Sequence, residues 1–292
     1  MKDIQIFLLL GEEVDLKNAN IPKGYGLAKE EFENQSLAYN IKTDISILDR
    51  ESLPKSVDCK LIGIFDQNAL VHKRYLLNIV SMKNMLHNVA IFCGPNKNFL
   101  WSTPNDPFLK SVCDLYKAYF LNSISGAIVK DITGEIDNYP LSTNIFITKP
   151  AYNNVGGFQP LQTPRGECFS NPNFVSHCDT YGSIIYSDSL KTMNCFDSYN
   201  LSISHACRFF YDLGFIISGL NSKSKCDEEA SYDFIWDMFV ESPDSLDHRA
   251  MGGLFYNNQI TENKETYAQH TGMAKCAYQV GFFEALSGNV LL

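Results

Sequence analysis

Short apolar stretches, interrupted by glycine, proline and polar pairs, dominate the N-terminal third of the chain. Stretches of this length, apolar throughout or alternating with polar residues, are typical of β-strands. They predict strands over residues 3–11, 43–48, 60–65 and 89–93. Apolar residues at helical spacing predict a helix over residues 69–86, and residues 29–37 are a candidate short helix. This succession of strands and helices predicts an α/β fold with a mostly parallel central sheet flanked by helices.

The rest of the chain combines helical patterns with a region rich in turn-forming residues. The pattern predicts helices over residues 111–120, 199–213, 231–240 and 267–286, a short helix or a turn over residues 149–155, and strands over residues 143–147 and 215–218. Gly214 is predicted to end the helix before it as the C-terminal cap. Residues 159–195 are rich in Pro, Gly, Ser and Asn, which is typical of a lid or a binding loop. We therefore predict a long loop-rich insertion followed by C-terminal helices.

The composition of the 292 residues, 45% hydrophobic and 20% charged, is that of a globular protein and excludes disorder, collagen and coiled coil as the main class. A net charge of −9 argues against a surface that binds nucleic-acid phosphates throughout, but it allows a local basic groove. No apolar run reaches the ~18–20 residues of a membrane span, so no transmembrane segment is expected. Nine cysteines without a C-x-x-C pair, and no predicted signal peptide, indicate free thiols and a cytoplasmic location.

Polar residues directly follow the predicted strand over residues 60–65. In parallel α/β sheets, ligands bind beyond the carboxyl ends of the strands, so Asp66 and Asn68 lie where a ligand is expected. A carboxylate and an amide oxygen at this spacing suit a hard cation such as Mg²⁺ or Mn²⁺. A structural role for Asp66, as the cap of the next helix, is the alternative.

Two further segments carry candidate chemistry. Gly156 and Gly157 precede Phe158, and adjacent glycines either end a helix or let the main chain approach a ligand closely. Asp197 precedes a predicted helix, where an aspartate commonly acts as a cap. If Asp197 faces the same crevice as Asp66, it is instead a candidate general base.

In order along the chain, the segments KLIGIFDQN, NIFITKPAYNNVGGFQP and FDSYNLSISHACRFFYDLGFII resemble the motifs of the family-two inverting glycosyltransferases of the GT-A fold. The resemblance covers about residues 60–220 and is most specific at residues 152–158. The second carboxylate of the family's D-x-D motif is replaced by Asn68, and only Asp197 remains of the acidic pair. A divergent enzyme and an inactive scaffold are the two hypotheses, and Asp197 at the position of the base favours the enzyme.

The resemblance implies a GT-A (Rossmann-like) fold and a single domain over residues 1–292. Its nucleotide-binding half would span residues 1–110 and its acceptor-binding half residues 111–292. The implied reaction transfers a sugar from a nucleotide-diphosphate sugar, such as a UDP- or GDP-sugar, to an acceptor hydroxyl with inversion. Asp197 would act as the general base.

The resemblance also implies a Mn²⁺ or Mg²⁺ cofactor held by Asp66 and Asn68, with a late histidine completing the shell. His248 is the candidate that we name, and His270 is the alternative. Asp49, at the end of the second strand, would contact the base or the ribose of the nucleotide. Gly156 and Gly157 would let the backbone approach the donor sugar or the acceptor.

The remaining hypotheses differ in the chemical identity of the acceptor. A glycan or another hydroxyl compound is one class, and a hydroxymethylated pyrimidine in DNA, as in phage-type DNA modification, is another. The DNA hypothesis requires a local basic groove, for which Lys73, Arg74 and Lys83, or Lys223 and Lys225, are candidates. A nucleotide- or carbohydrate-binding protein on an inactive scaffold is the non-enzymatic alternative.

Other chemistries are poorly supported by the sequence. No G-x-G-x-x-G or P-loop motif follows the first strand, which argues against dinucleotide and P-loop nucleotide sites. Cysteine–histidine catalysis by Cys168, Cys178 and His177 lacks a local signature, and the same residues have the wrong spacing for zinc.

Overall fold

A computed structural model of the protein describes residues 2–10, 26–49, 52–100, 143–158, 160–168, 171–196, 203–221 and 264–287. The chain divides into two compact units, each built from separate stretches of sequence. The first unit contains residues 1–101, 138–161 and 170–197, and the second contains residues 102–137, 162–169 and 198–292. The predicted single domain, with halves that meet at residue 110, stays a prediction.

The elements of the first unit, in chain order, are β1 (Lys2–Leu9), α1 (Leu27–Tyr39), β2 (Thr43–Leu48), β3 (Cys59–Asp66), β4 (Ala69–Val71), α2 (Tyr75–Met85), β5 (Val89–Cys93), β6 (Asn96–Leu100), β7 (Ile145–Thr148), α3 (Lys149–Asn154), α4 (Pro172–Asp179), β10 (Ser183–Tyr186), a 3₁₀ helix (Asp188–Leu190) and β11 (Thr192–Phe196). The second unit contains β8 (Gln162–Thr163), β9 (Gly166–Glu167), α5 (Ile203–Asn221) and α6 (Lys264–Ser287).

A six-stranded sheet in the order β10-β5-β7-β3-β1-β2 forms the centre of the first unit. Strands β2, β1, β3, β5 and β10 run in one direction, and β7 is antiparallel to both of its neighbours. The predicted α/β fold with a mostly parallel central sheet flanked by helices is thereby confirmed. A second sheet has the order β4-β11-β6, with β4 antiparallel to β11.

Both faces of the central sheet are buried at its inner strand β3, as expected for a mostly parallel sheet. On one face, Leu61 and Phe65 of β3 belong to a core cluster with residues of α1 and α2. The alternate residues Ile62 and Ile64 point to the opposite face and are also buried. In the core cluster, the ring of Phe65 packs edge-to-face on Phe32, with 4.9 Å between the ring centroids.

Two parts of the predicted secondary structure differ from the structure of the first unit. Residues 69–71, predicted as the start of a helix, form β4, in which Ala69 and Val71 are buried and Leu70 is exposed. Such a short apolar stretch fits both periods, and its pairing with β11 decides in favour of the strand. The described part of the loop-rich segment 159–195 contains short strands and the helix α4, and β10 extends the central sheet.

In the second unit, α5 and α6 pack closely against each other. The predicted strand over residues 215–218 and the predicted helix cap at Gly214 are wrong, because α5 continues through Gly214 to Asn221. A side chain at Gly214 would collide with the carbonyl oxygen of Tyr278 in α6, so this glycine serves the helix–helix contact. Within the described residues, no helix combines the length and the hydropathy that a membrane crossing requires. The cytoplasmic location stays a prediction.

Candidate functional site

Asp66 is the last residue of β3 and lies at the carboxyl edge of the parallel strands, where its side chain is half-buried. Two side chains hold its carboxylate. The hydroxyl of Thr143 donates to Asp66 Oδ2 at 3.3 Å, and Asn144 Nδ2 donates to the same oxygen at 3.4 Å. In return, the Asp66 main-chain N–H donates to Asn144 Oδ1 at 3.2 Å. These contacts give the carboxylate a defined orientation.

The alternative role of Asp66 as a helix cap is excluded by the elements that come after it in the chain. A turn and the strand β4 come first, and α2 begins only at Tyr75. The N-cap position of α2 is held by Arg74, with no side-chain hydrogen bond to the helix. The orientation of Asp66 therefore needs another explanation than helix capping.

Asn68 lies in the turn between β3 and β4 and is half-buried. Asp66 and Asn68 together offer one carboxylate and one amide oxygen, which suit a hard cation that takes its remaining ligands from water and from substrate phosphate. Within the described residues, no three His, Cys, Asp or Glu side chains form a group that could hold a metal by themselves. His248 lies outside the described residues, and His270 belongs to α6.

Gln67, between these two residues, is a feature that the sequence analysis missed. Its side chain is only 4% exposed, and neither atom of its amide has a hydrogen-bond partner within the described residues. Its main chain connects three elements, because its N–H donates to Leu9 at the end of β1 and its carbonyl accepts from Ala28 in α1. A buried amide without partners is costly and is a common mark of a ligand or water position. No local sequence signal distinguishes it.

Asp49 follows β2 at the same edge of the sheet and is exposed. Leu48 of β2 pairs with Leu9 of β1, and Leu9 in turn pairs with Asp66. At a strand spacing of about 4.8 Å, the main chains of Leu48 and Asp66 are therefore about 10 Å apart. The structure thus brings the predicted nucleotide-contacting residue Asp49 and the predicted metal ligands Asp66 and Asn68 to one edge of the sheet.

Both glycines before Phe158 have a left-handed backbone, with φ of 82° at Gly156 and 85° at Gly157. A Cβ at Gly157 would lie 2.6 Å from Lys55 Cα and 2.8 Å from the Pro54 carbonyl oxygen, so Gly157 is required by packing within the protein. No atom lies within 4 Å of a Cβ built at Gly156. A contact of either glycine with a donor or an acceptor stays a prediction.

Side chains of α3 fasten the same segment, residues 54–57. The hydroxyl of Tyr152 donates to the Pro54 carbonyl at 2.6 Å. Asn153 makes two hydrogen bonds to the main chain of Val57. Its Nδ2 donates to the Val57 carbonyl at 3.0 Å, and its Oδ1 accepts from the Val57 N–H at 2.9 Å. The part of the sequence that most resembles the transferase motif therefore has a clear structural function in the described residues.

Asp197, the predicted general base, lies outside the described residues. Phe196, which precedes it in the chain, is the last residue of β11. In the ladder between β11 and β4, Asn194 pairs with Ala69, and Ala69 comes three residues after Asp66. In the sequence, Asp66 thus comes three residues before β4, and Asp197 directly follows β11, the strand that pairs with β4.

The described cysteines support the prediction of free thiols. Six of them have no disulfide partner: Cys59, Cys93, Cys168, Cys178, Cys207 and Cys276. Burial raises the pKa of the Cys178 thiol to about 12, which leaves no thiolate for nucleophilic catalysis at neutral pH. His177, its neighbour in α4, is exposed.

Comparisons with known proteins do not assign the chain to a family. No protein-family model matches the sequence, and no curated protein sequence matches it. Among solved structures, residues 1–349 of TarS from S. aureus, also solved with UDP-GlcNAc, are 10% identical at a TM-score of 0.38, over 98% of this chain and 92% of that chain. The mannosyltransferase PcManGT from Pyrobaculum calidifontis, solved with GDP-Man and Mn²⁺, is 10% identical at a TM-score of 0.43, over 98% of this chain and 87% of that chain. TM-scores this low do not establish a shared fold or a shared function.

Proposed function

We propose that the protein is a metal-assisted, inverting glycosyltransferase that moves a sugar from a nucleotide-diphosphate sugar to an acceptor hydroxyl. The observation that carries the proposal is the oriented carboxylate of Asp66 at the carboxyl edge of the sheet. It lies two residues from Asn68, and Asp49 follows β2 at the same edge. This is the edge at which open α/β sheets bind their ligands.

The donor would lie across the strand ends, with its base or ribose at Asp49 and its diphosphate near Asp66. Asp66 and Asn68 would hold Mg²⁺ or Mn²⁺, with His248 as a candidate further ligand. When bound, the ion stabilises the negative charge that develops on the leaving diphosphate. The two side chains that hold Asp66 support this role, because an oriented carboxylate needs no rearrangement when it binds a cation.

Asp197 would act as the general base. It would accept the proton of the acceptor hydroxyl as that oxygen forms a bond to the anomeric carbon. The bond from this carbon to the diphosphate oxygen breaks on the opposite face, and the configuration is inverted. Its place in the chain next to β11, which pairs with β4, supports a position close to the turn after Asp66.

The test measures donor consumption by mass spectrometry with a panel of UDP-, GDP- and CMP-sugars in the presence of Mn²⁺. The acceptor panel contains glycans and DNA with hydroxymethylated pyrimidines, so that a DNA acceptor is a separate outcome. Asp197→Asn is expected to abolish transfer while donor binding persists. Asp66→Asn is expected to lose the dependence on Mn²⁺ together with most of the activity.

A matched control is Asp58→Asn, because Asp58 is an exposed aspartate whose ion pair with Lys149 lies away from the strand ends Asp49 and Asp66.

Full turnover in excess chelator would contradict the metal role of Asp66. Binding of a nucleotide sugar that is never consumed with any acceptor would support the binding-protein alternative. Native turnover by Asp197→Asn would exclude Asp197 as the base.

A further inference from the structure

Asn144 combines a left-handed backbone, a buried side chain and two hydrogen bonds to Asp66. It has a left-handed backbone with φ of 59°, which is uncommon for a residue with a side chain. It is 2% exposed and immediately precedes β7. Its side-chain amide makes two hydrogen bonds to Asp66: Nδ2 donates to the carboxylate, and Oδ1 accepts from the main-chain N–H of the same residue.

The backbone conformation explains how one amide can make both contacts. Strand β7 is antiparallel to β3, and Ile145 pairs with Ile64, so the residues before β7 lie beside the end of β3. The left-handed turn at Asn144 then directs its side chain back to Asp66. Asparagine adopts this conformation more readily than most other residues, and Asn40 and Asn88 do so in this protein as well.

We infer that Asn144 is a positioning residue that presents the carboxylate of Asp66 to a divalent cation. The inference rests on the proposed function, since it assumes that Asp66 is a metal ligand. Partners of metal-binding carboxylates orient them, and their loss typically weakens metal affinity by about 10–100-fold. Thr143 contributes the second donor to the same carboxylate oxygen, so loss of Asn144 weakens the orientation of Asp66 without abolishing it.

A purely structural role is the alternative, and Asn153 provides a matched control. Asn153 brackets the main chain of Val57 through the same pair of amide hydrogen bonds, and these contacts involve no carboxylate. Asn144→Gly removes the amide but tolerates the left-handed backbone, whereas Asn144→Ala removes the amide and adds backbone strain. The two variants therefore separate the effect of the amide from that of the backbone.

The test measures the Kd of Mn²⁺ by electron paramagnetic resonance of the free ion, for the native protein and for each variant, with thermal unfolding in parallel. Asn144→Gly is expected to raise the Kd about 10-fold or more and to lower the Tm about as much as Asn153→Ala, because each variant loses an amide that makes two hydrogen bonds. Asn153→Ala is expected to lower the Tm and leave the Kd unchanged. A native Kd in Asn144→Gly, with weakened binding in Asp66→Asn, would overturn the inference alone.

The proposed function fails in a different way. If Asp66→Asn binds Mn²⁺ as tightly as the native protein, Asp66 is not a metal ligand, and the roles of Asp66 and Asn144 are both overturned. The same holds if the native protein binds no Mn²⁺, alone or with UDP or GDP. A raised Kd in both Asn144→Gly and Asp66→Asn, with a native Kd in Asn153→Ala, supports the inference.

Discussion

Alanine in place of Gly157 separates a packing role of this glycine from a role in donor binding. Gly156 is its natural control, because the two glycines have nearly the same left-handed backbone, with φ of 82° and 85°. They differ in their surroundings. A Cβ at Gly156 meets no atom within 4 Å, whereas a Cβ at Gly157 meets main-chain atoms of Pro54 and Lys55 at 2.6–3.0 Å.

The expected magnitudes result from this difference. Both substitutions carry the cost of a left-handed alanine, about 1–2 kcal/mol. At Gly157, the segment 54–55 must also move, because its main chain has no flexible end that could yield, and such overpacking costs about 1–3 kcal/mol. Movement of the segment also weakens the hydrogen bond from Tyr152 to Pro54, with a net contribution of about 1 kcal/mol. We expect about 1–2 kcal/mol of destabilisation for Gly156→Ala and about 3–6 kcal/mol for Gly157→Ala.

Urea denaturation followed by circular dichroism gives the free energy of unfolding of the native protein and both variants. Donor binding is measured by calorimetry at a temperature at which all three are folded. Equal destabilisation by the two variants, within about 0.5 kcal/mol, would refute the packing argument. A Gly157→Ala protein of native stability that no longer binds donor would instead favour a direct contact between this glycine and the donor.

Three further predictions concern buried polar groups. Gln67→Met removes a buried amide without partners among the described residues and is expected to raise the free energy of unfolding by about 1–3 kcal/mol, so a lowered Tm would contradict this reasoning. Burial raises the pKa of Tyr152 to about 12, above the value of about 10 in the unfolded chain, so the folded state keeps the proton longer. The contribution of Tyr152 is therefore complete below about pH 10 and is lost as the pH rises towards 12, and a native alkaline stability profile in Tyr152→Phe would contradict it. Cys276 is exposed and Cys178 is buried with a raised pKa, so iodoacetamide followed by peptide mapping should modify Cys276 in the folded protein and Cys178 only after unfolding.

Local patterns predict the central strands well. The strands over residues 43–48 and 89–93 have the predicted bounds, because a short apolar or alternating stretch between turn residues has few other ways to fold. The helix α5 shows where this reasoning fails. Its residues around Gly214 are buried almost continuously, so no polar face marks the helical period, and the pattern favours a cap at the glycine. The real partner of Gly214, Tyr278 of α6, is distant in the sequence.

The candidate site shows the same limit. Asp66 and Asn68 can be identified from their position after a buried strand, which is a local signal. The partners of Asp66 cannot, because Asn144 is 78 residues away and its contact depends on the register between β3 and β7. The packing of Gly157 against Lys55 likewise requires the folded chain. Single-sequence patterns thus locate the edge of the sheet but not the contacts that shape it.

The antiparallel strand β7 of the central sheet explains how the candidate site is assembled. Parallel strands all end at the edge that carries the candidate site, so each of them contributes the residues that come after it, as β2 contributes Asp49 and β3 contributes Asp66. An antiparallel strand begins at that edge and contributes the residues that precede it. Strand β7 lies beside β3 in this orientation, which is why Thr143 and Asn144 reach the Asp66 carboxylate. Since these residues bridge distant parts of the chain, the orientation of Asp66 depends on the completed pairing of β7 with β3, and a substitution that loosens the start of β7 should weaken the proposed binding of a cation before it unfolds the sheet.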